Sequence, residues 1–213
     1  WQEQAWNKHV TFDAFCEYIL PYRIDDEPLT YWREEYYEKY NPLLDSLRMS
    51  DKLDKENPIV AANYLISRLP DKFRRNSTVA PYPFGHIGPK FVPNMTGTCR
   101  DRTDFGMYLL RALGIPCAID FILGCDLANA GHFWLTAWDQ NGRDCKTEFP
   151  GSFVYTCKDD WYNNDDAVKV YRSTFSVNRE LYNEMAELTL DLYPFWKLPK
   201  FKDVTYSYAR YYM

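Results

Sequence analysis

The sequence predicts an α+β fold: a helical N-terminal region, then a cysteine-bearing helix packed on an antiparallel β-sheet. Three observations carry that prediction. Through about residue 70 apolar side chains recur at helical spacing, and a segment opening at Cys99 has helix signals at both ends. From Cys117 onward the apolar period shortens to two.

The elements follow in order. Residues 11–20 begin with Thr11 as an N-cap, carry Phe12, Phe15, Ile19 and Leu20 on one side, and stop at Pro21. A second helix is expected from about Leu29 to Tyr40, and a third from about Pro58 to Leu69, ended by Pro70. From Asp71 to Thr96 the chain is punctuated by Pro81, Pro83, Pro89 and Pro93 with Gly85 and Gly88, a long loop that leads into Cys99. Loops of that length in a compact domain commonly line sites, which makes Tyr82, His86 and Asn94 candidate wall residues.

The helix over 99–113 is the best punctuated. Thr98 and Asp101 stand in the capping-box relation, Gly114 follows the last turn, and Pro116 lies beyond. Cys117–Leu123, His132–Asp139, Arg143–Phe149 and Ala167–Val177 then read as strands, and a further helix is expected over Arg179–Leu190.

Composition narrows the function classes. At 213 residues, 46% hydrophobic and 26% charged, the chain is expected to form one principal globular domain. Its aromatic share of 18% suits a core whose polar tips reach the surface. A net charge of −5 lacks the basic excess that collects phosphates, so no nucleic-acid partner is expected. No run of about 18 apolar residues predicts a transmembrane segment. The six cysteines include no CxxC pair, and the three histidines fit no zinc spacing, so neither a metal nor a cofactor is expected.

The chemistry centres on Cys99, His132 and Glu148. In the first turn of a helix, unpaired backbone N–H groups favour a thiolate, with Arg100 and Arg102 adding positive charge nearby. Along the strand, His132, Trp134, Thr136 and Trp138 share one face, so Asp139 points away. A three-residue loop, Gln140-Asn141-Gly142, sets residue 139 opposite 143 and residue 134 opposite 148, which puts Glu148 on the His132 face. Asp144 shares that face, but six residues at roughly 3.4 Å of rise hold it about 20 Å away. A thiolate, an imidazole and an orienting carboxylate are the parts of a covalent acyl-transfer site.

These residues also carry a resemblance. The stretch GTCRDRTDFGMYLLRALGIPCAIDF followed by GHFWLTAWDQNGRDCKTEF resembles the core of the transglutaminase-like superfamily, with Gly97, Cys99, Arg111–Pro116, His132, Trp134 and Glu148 at the matching places. Glu148 stands where the family more often has Asp. Upstream, FCEYILPYRIDDEPLTYWREEYYEKY is similar to the helical region of Bacteroides-type transglutaminase-like proteins. The resemblance implies a transglutaminase/papain-like fold and a thiol nucleophile acting on a peptide or protein substrate, cell-wall peptide or glycan-linked substrates included. It also implies a periplasmic, surface or secreted lipoprotein setting. It divides the chain into a helical extension over about 1–70, a catalytic core over about 71–200, and a stub over 201–213 leading to a further C-terminal module.

Peptidase or amidase activity is the first expectation. Glutamine–amine cross-linking or deamidation shares the same acyl-enzyme, and a non-catalytic peptide- or glycan-binding module is the third reading. Trp134, Tyr82, His86 and Asn94 are the candidate substrate-binding residues.

Overall fold

The structure is a computed structural model that describes residues 1–69, 87–94, 97–125, 130–156, 169–188 and 197–208. Its helical part comprises α1 (Phe12–Tyr18), α2 (Arg33–Tyr40), α3 (Asp45–Arg48) and α4 (Pro58–Ile66), with short 3-10 turns at Ala5–Asn7, Asn41–Leu44 and Val92–Asn94. Next come α5 (Cys99–Ala112) and strands β1 (Cys117–Cys125), β2 (Ala130–Trp138), β3 (Asp144–Thr147), β4 (Val154–Tyr155) and β5 (Tyr171–Ser173). The last described elements are α6 (Arg179–Ala186), β6 (Phe201–Asp203) and α7 (Thr205–Tyr208). The described strands form one six-stranded antiparallel sheet in the order β4-β3-β2-β1-β5-β6.

Local chemistry explains most boundaries. Thr11 caps α1 by accepting the Ala14 N–H at 3.1 Å, and Asn57 caps α4 through the Ile59 N–H at 2.9 Å. The second helix starts at Arg33 instead of Leu29. Trp32 is held short of it, its backbone N–H on the Tyr22 hydroxyl at 3.3 Å and its indole N–H on the Tyr22 carbonyl at 3.0 Å. The expected strand over 167–177 narrows to Tyr171–Ser173, and the helix from Arg179 ends at Ala186; residues 167, 168, 189 and 190 of those expectations lie outside the described residues.

The β2–β3 hairpin has the three-residue loop. Trp138 pairs with Asp144 and Leu135 with Thr147. Asp139 fixes the turn: its carboxylate accepts the N–H groups of Asn141 and Arg143, each at 2.9 Å, and the Arg143 Nε–H at 2.8 Å. Gly142 supplies the left-handed residue with φ 77°.

The main core lies between the helices and one face of the sheet. Leu109, Leu110 and Leu113 at the end of α5 pack there with Ile119, Leu135 and Ala137. The aromatics fill this core and satisfy their polar tips: Tyr36 donates to the Pro89 carbonyl at 2.6 Å, and Tyr108 to Glu27 at 2.8 Å. A smaller cluster of Ile122, Trp134, Val170, Val204 and Tyr208 covers the other face.

That second cluster takes in residues beyond position 201. β6 pairs with β5 through Tyr171↔Asp203 and Ser173↔Phe201, and Tyr208 is buried. Strand β4 and the short helices at 45–48 and 205–208 were not anticipated, because stretches of two to four residues are too short to show a period. Among the described residues no helix is long and apolar enough to cross a membrane.

Candidate active site

Cys99 is the first residue of α5. The capping box holds it there: Asp101 Oδ2 accepts the Thr98 N–H at 2.8 Å, while Thr98 Oγ1 accepts the Asp101 N–H at 3.5 Å. At this position the Cys99 N–H has no intrahelical partner.

The strand reaches the helix through Phe133. β3 ends at Thr147, opposite Leu135, so Phe133, two positions further along β2, has no β3 neighbour. Both of its backbone groups go to the first two turns of α5. Its N–H donates to the Cys99 sulfur, and its carbonyl lies 3.3 Å from the Thr103 hydroxyl, which is also 2.7 Å from the Cys99 carbonyl. Thr103 thus pins the helix start to the strand that carries His132.

His132 stands between the other two groups. Its Nε2 is 2.8 Å from Glu148 Oε1, and its ring hydrogen-bonds the Cys99 sulfur. With Nε2 on the carboxylate, Nδ1 is the nitrogen left for sulfur. Glu148 follows the last residue of β3 and opens a turn closed by the Gly151 N–H on its carbonyl at 2.7 Å, with the Thr147 hydroxyl on the Gly151 carbonyl.

The electrostatics follow from this geometry. Burial works against a Cys99 thiolate, but hydrogen bonds from His132 and the Phe133 N–H, the His132 charge and the Arg100 N–H outweigh it, and the thiol falls below its ordinary value. His132 is raised to about 9, first by its bond to Cys99, then by its bond to Glu148, with burial opposing and the charges of Glu148 and Cys99 adding. Each group thus favours the charged form of the other, thiolate beside imidazolium. Burial drives Cys117 and Cys145 the other way, to about 12.

The structure thus brings Cys99, His132 and Glu148 together. Arg100 supports the thiolate through its backbone N–H, while its side-chain Nε is 3.0 Å from Asp104 and its guanidinium lies 4.7 Å from the centre of the Phe133 ring. Trp134 is buried beside His132, ring centres 5.8 Å apart, and its indole N–H donates to the Tyr208 hydroxyl at 3.0 Å, so it is a wall behind the imidazole and offers no face to solvent. Tyr82 and His86 lie outside the described residues, as does the side chain of Asn94.

A buried polar cluster behind Trp134 was missed. Asp120, with 0% of its surface exposed, receives Arg172 at 2.7 and 2.8 Å, the Thr136 hydroxyl at 2.7 Å and the Tyr208 hydroxyl at 2.6 Å. The signal was available: an Asp inside the apolar run CAIDFIL requires a cationic partner in the core. Among the described residues no group of three or more His, Cys, Asp or Glu could hold a metal ion. Comparison with protein families, curated proteins and solved structures finds no match.

Proposed function

We infer that the chain is a cysteine-dependent acyl-transfer enzyme of transglutaminase-like, papain-like architecture that acts on peptide or amide bonds, foremost as a peptidase or amidase. The observation that carries this reading is the imidazole held between a sulfur at a helix start and a carboxylate at a strand end.

The Cys99 thiolate attacks the amide carbonyl carbon, and the oxygen takes up negative charge near the Cys99 N–H. The His132 imidazolium gives its proton to the departing nitrogen, the C–N bond breaks, and a thioester to Cys99 remains. Neutral His132 then takes a proton from water as it attacks the thioester, releasing the acid and restoring the thiolate. An amine in place of water gives the cross-linking or transamidation outcome through the same intermediate. Glu148 keeps the ring oriented and favours its charged form throughout.

The test is incubation with a peptide and amine library, comparing the parent with Cys99→Ala by mass spectrometry. Cleavage, deamidation and amine incorporation leave different mass changes, and each should vanish in the variant. Iodoacetamide at mildly acidic pH supplies a substrate-free arm: Cys99 should label well ahead of Cys16. Equal slow labelling of both cysteines points to a binding module.

A further inference from the structure

A separate feature lies at the opposite end of α5. With 14 residues at roughly 1.5 Å of rise, its last turn is about 20 Å from Cys99. A cavity of about 730 Å³ opens there, with Phe15, Leu20, Tyr31, Tyr37, Arg33 and Arg111 in its wall. That volume is in the range of small-molecule sites.

Its floor holds two guanidinium groups side by side. Arg111, 5% exposed, places Nε on the Tyr18 carbonyl at 3.2 Å and Nη1 on the carbonyls of Pro21 and Arg23 at 3.4 and 3.3 Å. Arg33 places Nη1 on the Ile19 carbonyl at 2.9 Å and Nη2 on the carbonyls of Leu20 and Pro21 at 3.1 and 3.0 Å. Both therefore meet on the Pro21 oxygen. Among the described residues Arg111 Nη2 and Arg33 Nε make no hydrogen bond, and both arginines line the cavity.

Among the described residues no carboxylate answers this charge by direct contact. Glu3 and Glu34 stand in the cavity wall without an ion pair to either arginine. Glu17 and Glu27 act on Arg111 only through space, being occupied by the N–H groups of Phe175 and Ser176 and of Ile24 and Asp25. Burial, reinforced by repulsion from Arg111, lowers Arg33 to about 10, and burial lowers Arg111. The backbone carbonyls explain why the arginines are there; they do not balance two net charges.

We propose that this cavity binds a small organic carboxylate with an aromatic or branched apolar body, its oxygens on Arg111 Nη2 and Arg33 Nε and its body against Phe15, Leu20, Tyr31 and Tyr37. One open nitrogen on each of two adjacent guanidinium groups matches the two oxygens of a carboxylate. The ring of carbonyls from residues 18–23 disfavours a more highly charged anion such as phosphate, and the apolar walls favour a ligand with little else that is polar.

The test uses 4-fluorophenylacetate as probe, followed by ¹⁹F NMR titration, with 4-fluorophenylacetamide as its neutral counterpart. The carboxylate should bind about tenfold or more tightly than the amide. Arg33→Met should erase that difference. If Arg33→Met fails to fold, Arg33→Lys carries the test and should reduce the difference without erasing it. Tyr31, 88% exposed, can be changed without risk to the fold, and Tyr31→Ala should weaken both probes alike. Equal affinity of the two probes for the parent overturns the proposal, as does no binding at millimolar concentration or full discrimination by a folded Arg33→Met protein. Inorganic phosphate displacing the probe at lower concentration than phenylacetate does would overturn the choice of a carboxylate.

Discussion

Glu148→Gln is the sharpest perturbation of the candidate active site, since it removes one charge and keeps the side-chain shape. Glu148 Oε1 is 2.8 Å from His132 Nε2, but the Glu148 side chain is 56% exposed, so water screens much of its field. Exposed pairs contribute about 0.2–1 kcal/mol, and a hydrogen bond to a charged group somewhat more, which suggests a loss of about 1 kcal/mol from the imidazolium. At 1.36 kcal/mol per pK unit, the His132 value should fall by roughly 0.7 from about 9. Near pH 6 the imidazolium persists at either value, so alkylation of Cys99 by iodoacetamide should change little there, and the difference should appear where His132 titrates, between about 8 and 9. The assay is the pH dependence of that rate, read by mass spectrometry on the Cys99 peptide, with His132 followed separately by NMR. An unchanged profile would refute the claim that the carboxylate acts on the ring. A loss near the ~10⁴-fold seen for a buried orienting carboxylate, with the fold intact, would refute the screening argument.

Three further outcomes are expected. Because His132 is raised to about 9 and Cys99 lies below its ordinary value, turnover of any amide substrate should rise with pH as the thiolate forms and fall through about 9 as the imidazolium is lost; the pH–rate profile checks the signs. Arg172→Met strips the bidentate partner from fully buried Asp120 and should cost about 3–5 kcal/mol of stability in a urea titration. In Gly106→Ala the new Cβ would stand 2.3 Å from Leu135 Cδ1 and 2.8 Å from the Phe149 ring, so these core side chains must give way; about 1–3 kcal/mol should be lost in the same titration.

What could be read beforehand was whatever local chemistry decides. The Thr98–Asp101 box and Gly114 delimit α5, and the loop Gln140-Asn141-Gly142 determines which face of the sheet Glu148 occupies, so the meeting of His132 and Glu148 followed from register alone. Contacts made by the backbone across the fold were invisible. Nothing in the letters around Phe133 says that its N–H will meet the Cys99 sulfur, because that depends on β3 stopping at Thr147. Nor do the letters say that Asp104, one helical turn on, will pair with the Arg100 side chain while the Arg100 N–H supports the thiolate. The tail after residue 200 looked detachable, and β6 and Tyr208 tie it into the sheet.

That tie has a consequence for the order of events in folding. Trp134, the wall behind the imidazole, takes its hydrogen-bond partner from Tyr208, 74 residues downstream, and Tyr208 is in turn held on Asp120. Closing so long a loop comes late, after the local helices and the β2–β3 hairpin have formed. During synthesis the sulfur-bearing helix therefore emerges well before Tyr208, the residue that anchors the wall behind its imidazole partner.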